Sequence, residues 1–276
     1  MFSQGHLIWI GISIFLIFVG LSACMRLMPP LHRVMTICLV IGIISEIIKV
    51  FSVTKIVPMV DPVISEIGGN YVLQWVPTGE YTPYLAMEHL PLELCSLYLI
   101  FMLLSLSIKD GPWKHGLYAV MFASGTLGGL MGIALSSIAG DFATTAAFFT
   151  SARAWQYFLF HSMIVTVSLY LGLSGEGGLC FSDWKKAIIG LVLLDIPTFY
   201  LNSIFTSVIY AQDEVVGVVH RINYFSSYVN PLGIVITENW QWIIYLIIRG
   251  TTAVLSVMLL YLLLLKKEVR KTDGNR

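Results

Sequence analysis

Charge is scarce in this chain, and neither sign is in excess. Asp, Glu, Lys and Arg make up only 12% of its 276 residues, 16 basic against 16 acidic, for a formal net charge of +0. A soluble domain carries about 25% charged residues to cover its surface, and a nucleic-acid-binding protein carries a basic excess. Both classes are excluded, and nucleic acid is not a partner. Cysteine is also sparse: Cys24, Cys38, Cys95 and Cys180 show no CxxC spacing, which leaves no cysteine-based metal centre or redox pair. No metal or other cofactor is implied. No Lys or Arg precedes the first apolar run and no small-residue cleavage signature follows it, so that run is expected to be a span and not a removable leader. Internal repeats of the kind that build many transporters are absent as well.

What the chain has instead is hydrocarbon. Hydrophobic residues make up 57% and mean hydropathy is +0.82. Runs of about 20 apolar residues cross about 30 Å of bilayer core. They predict helical spans near 7–25, 34–53, 89–108, 116–138, 154–173, 186–209 and 239–265. The expected fold is an all-α polytopic membrane protein of seven transmembrane helices in a single domain, 1–276. Lys and Arg sort by side: Arg26, Arg33, Lys109, Lys114, Lys185, Lys186 and the tail residues Lys266, Lys267, Arg270, Lys271 and Arg276 fall on one face. Only Lys55, Arg153 and Arg221 fall on the other. Cytoplasmic loops collect such residues, so the N-terminus is expected outside and the basic tail, 266–276, inside, as in a bacterial plasma membrane. The long outer connections, 54–87 and 210–238, hold half of the prolines and read as loops that cap a site. In the fourth span Gly125, Gly129, Gly132 and Ser136 form one small-residue stripe suited to close helix packing.

Ionisable groups inside a span cost at least about 2.5–3.5 kcal/mol each and need a partner or a purpose. Here they are Glu46, Lys49, Glu88, His89, Glu93, His161, Asp195 and Arg249. Glu46 and Lys49, at i and i+3, suit a pair. Asp195 opens the stretch DIPTFYLN, in which Pro197 frees a backbone carbonyl and Asn202 lies two turns on. Arg249 is a natural countercharge for Asp195, Glu93 or Glu88.

Depth singles out one group of these. At 1.5 Å per residue, Cys95 lies about 6–10 Å inside the outer boundary, His161 about 10–12 Å and Arg249 about 15 Å. A helix starting near His89 would put Glu88 and Cys95 on one stripe and His89 and Glu93 on the next. Pro91 suits the first turn of such a helix, leaving Cys95 beside unpaired amides that favour a thiolate. Nucleophile, base and orienting carboxylate at similar depth are the parts of covalent catalysis. A core cysteine and a satisfied intramembrane histidine remain the simpler alternative.

The stretches HLPLELCS at 89–96, QYFLFHSMIVTVSLYL at 156–171, RINYFSSYVNP at 221–231 and NWQWIIYL at 239–246 resemble the YwaF-type integral membrane family. That family is similar to eukaryotic transmembrane acyltransferases acting on ether-linked phosphatidylethanolamine, and more distantly to androgen-induced intramembrane lipid hydrolases. The resemblance implies Cys95 as nucleophile and His161 as its partner, with phospholipid and lysophospholipid as substrates. Glu93 stands where relatives carry His or Gln, and Asn223, Tyr224, Asn230 and Pro231 match the family's NY and NP features. The first expectation is thus a lipid acyltransferase working through a Cys95 thioester, with His89, Glu88 or Glu93, Asp195, Asn202 and Arg249 in support. A transporter or receptor with a polar outer-half site, and an intramembrane lipid hydrolase, are the alternatives.

Overall fold

A computed structural model describes residues 3–67, 70–86, 89–90, 93–136, 138–211, 214–220 and 237–265. Glu88, Pro91, Asn223, Tyr224, Asn230, Pro231 and the tail 266–276 lie outside the described residues.

Helix α1 (Gln4–Leu27) starts on Ser3, whose side chain accepts from the His6 amide, and ends where Met28 turns left-handed at φ 46°. Two prolines then forbid continuation, and α2 (Leu31–Val53) restarts from Pro30. The next helices are α3 (Leu94–Ser107), α4 (Pro112–Ala123), α5 (Gly129–Ala134), α6 (Thr145–Thr150), α7 (Ala152–Leu173), α8 (Trp184–Ile204) and α9 (Asn239–Leu264). A π-turn over Ser124–Gly128 joins α4 to α5, which makes one long helix of the expected fourth span. Among the described residues six helices are long and apolar enough to cross a membrane: Gln4–Leu27, Leu31–Val53, Pro112–Asp141, Ala152–Leu173, Phe181–Ile204 and Asn239–Leu264.

The third expected span differs. Its helix begins at Leu94 rather than near His89 and has 14 residues, about 21 Å of rise, short of the roughly 30 Å of hydrocarbon. The helical stripe expected to pair His89 with Glu93 therefore does not form, while the one expected to pair Glu88 with Cys95 involves a residue outside those described. The connections read as loops also differ. They contain two antiparallel hairpins, β1 (Lys55–Ile67) with β2 (Asn70–Tyr84), and β3 (Thr206–Ala211) with β4 (Glu214–His220). The run expected as helix to 209 ends at Ile204, because Thr206–Ala211 is rich in β-branched residues and pairs with a second such stretch.

Helix α7 is the pillar of the bundle. It packs on α1, α2, α4 and α5 and buries 14 of its 22 residues, polar ones among them. Its neighbours approach closely because they lack side chains at the contact. A Cβ on Gly125 would lie 1.9 Å from Ser168 Oγ and 2.5 Å from the Tyr98 ring, and one on Gly129 would lie 2.5 Å from Val165. The small-residue stripe thus seats α7. Ser168 Oγ lies 2.7 Å from the Tyr98 hydroxyl and 3.2 Å from the Met121 carbonyl oxygen, which ties α3, α4 and α7 together. At the other side Trp9 of α1 stacks 5.1 Å from Phe158 and 5.5 Å from Phe149. Helices α2 and α9 turn apolar faces outward, Ile37, Val40, Ile44 and Ile47 on one and Ile243, Ile247 and Leu263 on the other. Exposed bands of this kind suit lipid rather than water.

Gly125→Val is expected to overpack the α7 seat and destabilise the protein by about 1–3 kcal/mol. A lowered unfolding midpoint of the detergent-purified protein checks this, and an unchanged midpoint would contradict the packing described.

Candidate functional site

A buried lysine organises the start of α3. Lys49 of α2, only 6% exposed, places Nζ 2.5 Å from Glu46 Oε2 and donates to Ser96 Oγ at 3.4 Å. Ser96 in turn donates to Glu46 Oε1 at 3.2 Å. An ammonium taken out of water needs such compensation. Because Ser96 is the third residue of α3, the knot fixes that helix end against α2.

Cys95 is therefore the second residue of α3, where backbone N–H groups have no helical partner. Glu93 precedes the helix in extended conformation (φ −70°, ψ 151°), and its carboxylate does not cap the amides. It folds back onto the thiol instead: Cys95 Sγ donates to Glu93 Oε2 at 3.6 Å. The charges acting on Cys95 are Glu93, Lys49 and Glu46, and those acting on Glu93 include Lys49 and Arg153.

Helix α7 brings the remaining side chains. Arg153, Tyr157 and His161 recur at four-residue spacing and share a face. The Arg153 guanidinium lies 5.7 Å from the Tyr157 ring centroid, and its Nη1 donates to Gln156 Oε1. Gln156 Nε2 donates across to Ser45 Oγ of α2 at 2.9 Å. Tyr157 donates to the Gly132 carbonyl at 2.9 Å. His161 is 4% exposed, and its Nδ1 lies 2.7 Å from the Tyr157 carbonyl oxygen. A carbonyl only accepts, so Nδ1 carries a proton, and Nε2 is the acceptor whenever the ring is neutral. Nε2 faces Gly132, where a Cβ would come within 2.7 Å of it.

The expected site residues divide accordingly. Cys95 and Glu93 are in direct contact. His161 lies under the field of the same Arg153 and Lys49, but its hydrogen bond goes to Tyr157 and the thiol's to Glu93, so no hydrogen bond joins thiol to imidazole. His89 is half-buried in a short turn ahead of α3, its amide donating to the Ala86 carbonyl at 2.9 Å. Asp195 and Arg249 form an ion pair with each other between α8 and α9, and the Arg249 guanidinium lies 5.9 Å from the Phe199 ring centroid. Asp195 is thus a countercharge of Arg249. Asn202, fully buried on α8, accepts at its backbone carbonyl from Thr206 at 2.7 Å. Among the described residues no three His, Cys, Asp or Glu side chains gather to hold a metal ion. The residues that sequence reasoning passed over are Ser96, Gln156 and Arg153, the last counted only as a loop charge; the 153–157–161 periodicity was the legible sign.

Lys49→Met is expected to destabilise the protein by about 3 kcal/mol, because it leaves Glu46 buried without its cation. Adding Glu46→Gln should recover most of that loss. Denaturant unfolding of the two single variants and the double variant checks the coupling; additive losses would contradict it.

No curated protein and no solved structure matches the chain. The model described as TMEM164 family matches residues 1–263, nearly its full length. Together with six apolar helices of spanning length, the match makes this a multi-pass membrane protein, and the chain belongs to the TMEM164 family.

Proposed function

We propose that the chain is a lipid acyltransferase of the plasma membrane, moving an acyl chain between phospholipid and lysophospholipid through a thioester on Cys95. The YwaF-type likeness and its kinship with acyltransferases belong to this proposal. So do a third, short crossing by α3, seven crossings in all, an outer N-terminus and an inner basic tail. The observation that carries it is the thiol at a helix start, hydrogen-bonded to Glu93 beside two cations and the His161 imidazole.

In the first half-reaction Glu93 takes the thiol proton and the sulfur attacks the ester carbonyl carbon. The oxyanion forms beside the unpaired amides of the first turn of α3. The carbon–oxygen bond breaks, the lysolipid leaves with the proton from Glu93, and the acyl group stays on sulfur. In the second, His161 Nε2 takes the proton of an acceptor lysophospholipid hydroxyl. The new alkoxide attacks the thioester, the carbon–sulfur bond breaks, and the proton passes back to the thiolate. One ester is lost and one is made, with no cofactor. Water in place of the acceptor turns the same steps into hydrolysis.

Cys95→Ala is expected to abolish both the acyl-enzyme and lipid turnover while the protein stays folded. His161→Ala should still form a hydroxylamine-sensitive acyl-Cys95 but release it about 100-fold more slowly. Radiolabelled phospholipid with purified protein in liposomes reads both quantities. Turnover by Cys95→Ala at the wild-type rate would sink the proposal, and fatty acid released equally with and without lysolipid would convert it to a hydrolase.

A further inference from the structure

Arg153 is the cation of the thiol cluster that no described carboxylate neutralises by contact. Lys49 is committed to Glu46 and Ser96. The Arg153 guanidinium gives Nη1 to the uncharged Gln156 side chain, and its buried Nε has no acceptor among the described residues. A guanidinium stays charged at any working pH. Left in this state, it acts on its surroundings chiefly through its field.

Its position is fixed from two sides. On α7 the Tyr157 ring centroid lies 5.7 Å from the guanidinium and 4.2 Å from the His161 ring centroid. Towards α2, Gln156 Nε2 donates to Ser45 Oγ at 2.9 Å. The residue after Ser45 is Glu46, which accepts from Ser96, the neighbour of Cys95. One turn of α2 therefore holds both the anchor of the arginine and the knot that registers the start of α3. The groups acting on Arg153 are Glu93, Tyr157, Glu46 and Cys95. Those acting on Glu93 are Cys95, Lys49, Arg153 and Glu46, and Arg153 and Lys49 also act on His161.

Only an ionised Glu93 can accept the proton of Cys95 Sγ across the 3.6 Å contact between them. A nearby cation favours the ionised form of a carboxylate. Lys49, 2.5 Å from Glu46 Oε2, makes with it a pair of no net charge, whereas Arg153 brings a whole charge to bear. We propose that Arg153 is a positioning residue of the thiol site: anchored through Gln156 on Ser45, its charge keeps the Glu93 carboxylate ionised against Cys95 so that it can take the thiol's proton. Ser45 and Gln156 belong to the same arrangement as its support. The inference rests on the acyl-transfer reading for the use made of the thiol, but loss of the thiol proton is measurable without any acyl donor.

The test follows alkylation of the four cysteines of the full-length protein by iodoacetamide in liposomes, each resolved by peptide mass spectrometry. Arg153→Gln is expected to slow labelling of Cys95 by at least about tenfold, with the rates of Cys24, Cys38 and Cys180 unchanged, and Arg153→Lys should restore most of the loss. In a Glu93→Gln background the same Arg153→Gln change should alter the Cys95 rate by less than about twofold, because the group it acts through is gone. Ser45→Ala, which keeps the charge and releases only its support, should slow Cys95 part of the way. A wild-type Cys95 rate in Arg153→Gln, or a full tenfold effect persisting without Glu93, would overturn the role. Should Arg153→Gln alter all four cysteines alike, Ser45→Ala decides: slowing confined to Cys95 supports the role, and an unchanged Cys95 rate overturns it. No acyl transfer by the wild-type protein, with this labelling pattern intact, would instead sink the enzymatic reading and leave the role of Arg153 standing.

Discussion

A lysine ammonium inside a hydrophobic bundle is the constraint from which the thiol site follows. Desolvating that charge costs several kcal/mol even after relaxation, and among the described residues Lys49 has only Glu46 and Ser96 within bonding reach to offset it. Glu46 sits one turn away on the same helix, so the carboxylate alone would leave α3 free to slide. Ser96 removes that freedom by donating to Glu46 while accepting from Lys49. The register of α3 against α2 is then set, and with it the position of Cys95 one residue earlier and of Glu93 just outside the helix.

Helix α7 imposes the second condition. It carries polar groups on nearly every turn, which lipid would not tolerate, and it resolves this by being buried on almost all sides. Burial of that extent needs neighbours that come close, hence Gly125, Gly129 and Gly132 at its contacts. Gly132 does double service: its carbonyl accepts from Tyr157, and its missing side chain makes room for the His161 ring. The tautomer of His161 and the placement of Arg153 both descend from this one helix and its bonds to α5 and α2.

The helices were legible because a run of 20 apolar residues has few alternatives to a span. Helix ends and outer connections were less so. Apolar β-branched residues at 206–211 extend a hydropathy run as readily as a helix does, and only pairing with 214–220 reveals the strand. The start of α3 was placed too early because Pro91 suits a helix N-terminus, and the true boundary at Leu94 changes which groups meet. Two residues apart on a helix, Glu93 and Cys95 would diverge; with Glu93 extended before the first turn, its carboxylate folds onto the thiol. The partner of Arg249 required a tertiary contact, since three acids at suitable depth competed for it, and Arg153, counted only for topology, was not weighed as a charge acting on Glu93.

The composition of the cluster suits chemistry that moves negative charge without creating it. Glu46 and Glu93 act through space with Lys49 and Arg153, two acids and two cations whose formal charges sum to zero. In the proposed first step, proton transfer from sulfur to Glu93 shifts negative charge from carboxylate to thiolate, and attack shifts it on to the ester oxygen. Release of the lysolipid with that same proton returns it to Glu93. The net charge of the cluster is constant throughout, which matters in a medium where each uncompensated charge costs several kcal/mol. A histidine beside the thiol would start such a sequence from a neutral pair and would have to separate charge. An acid there, as Glu93 is, only relocates it.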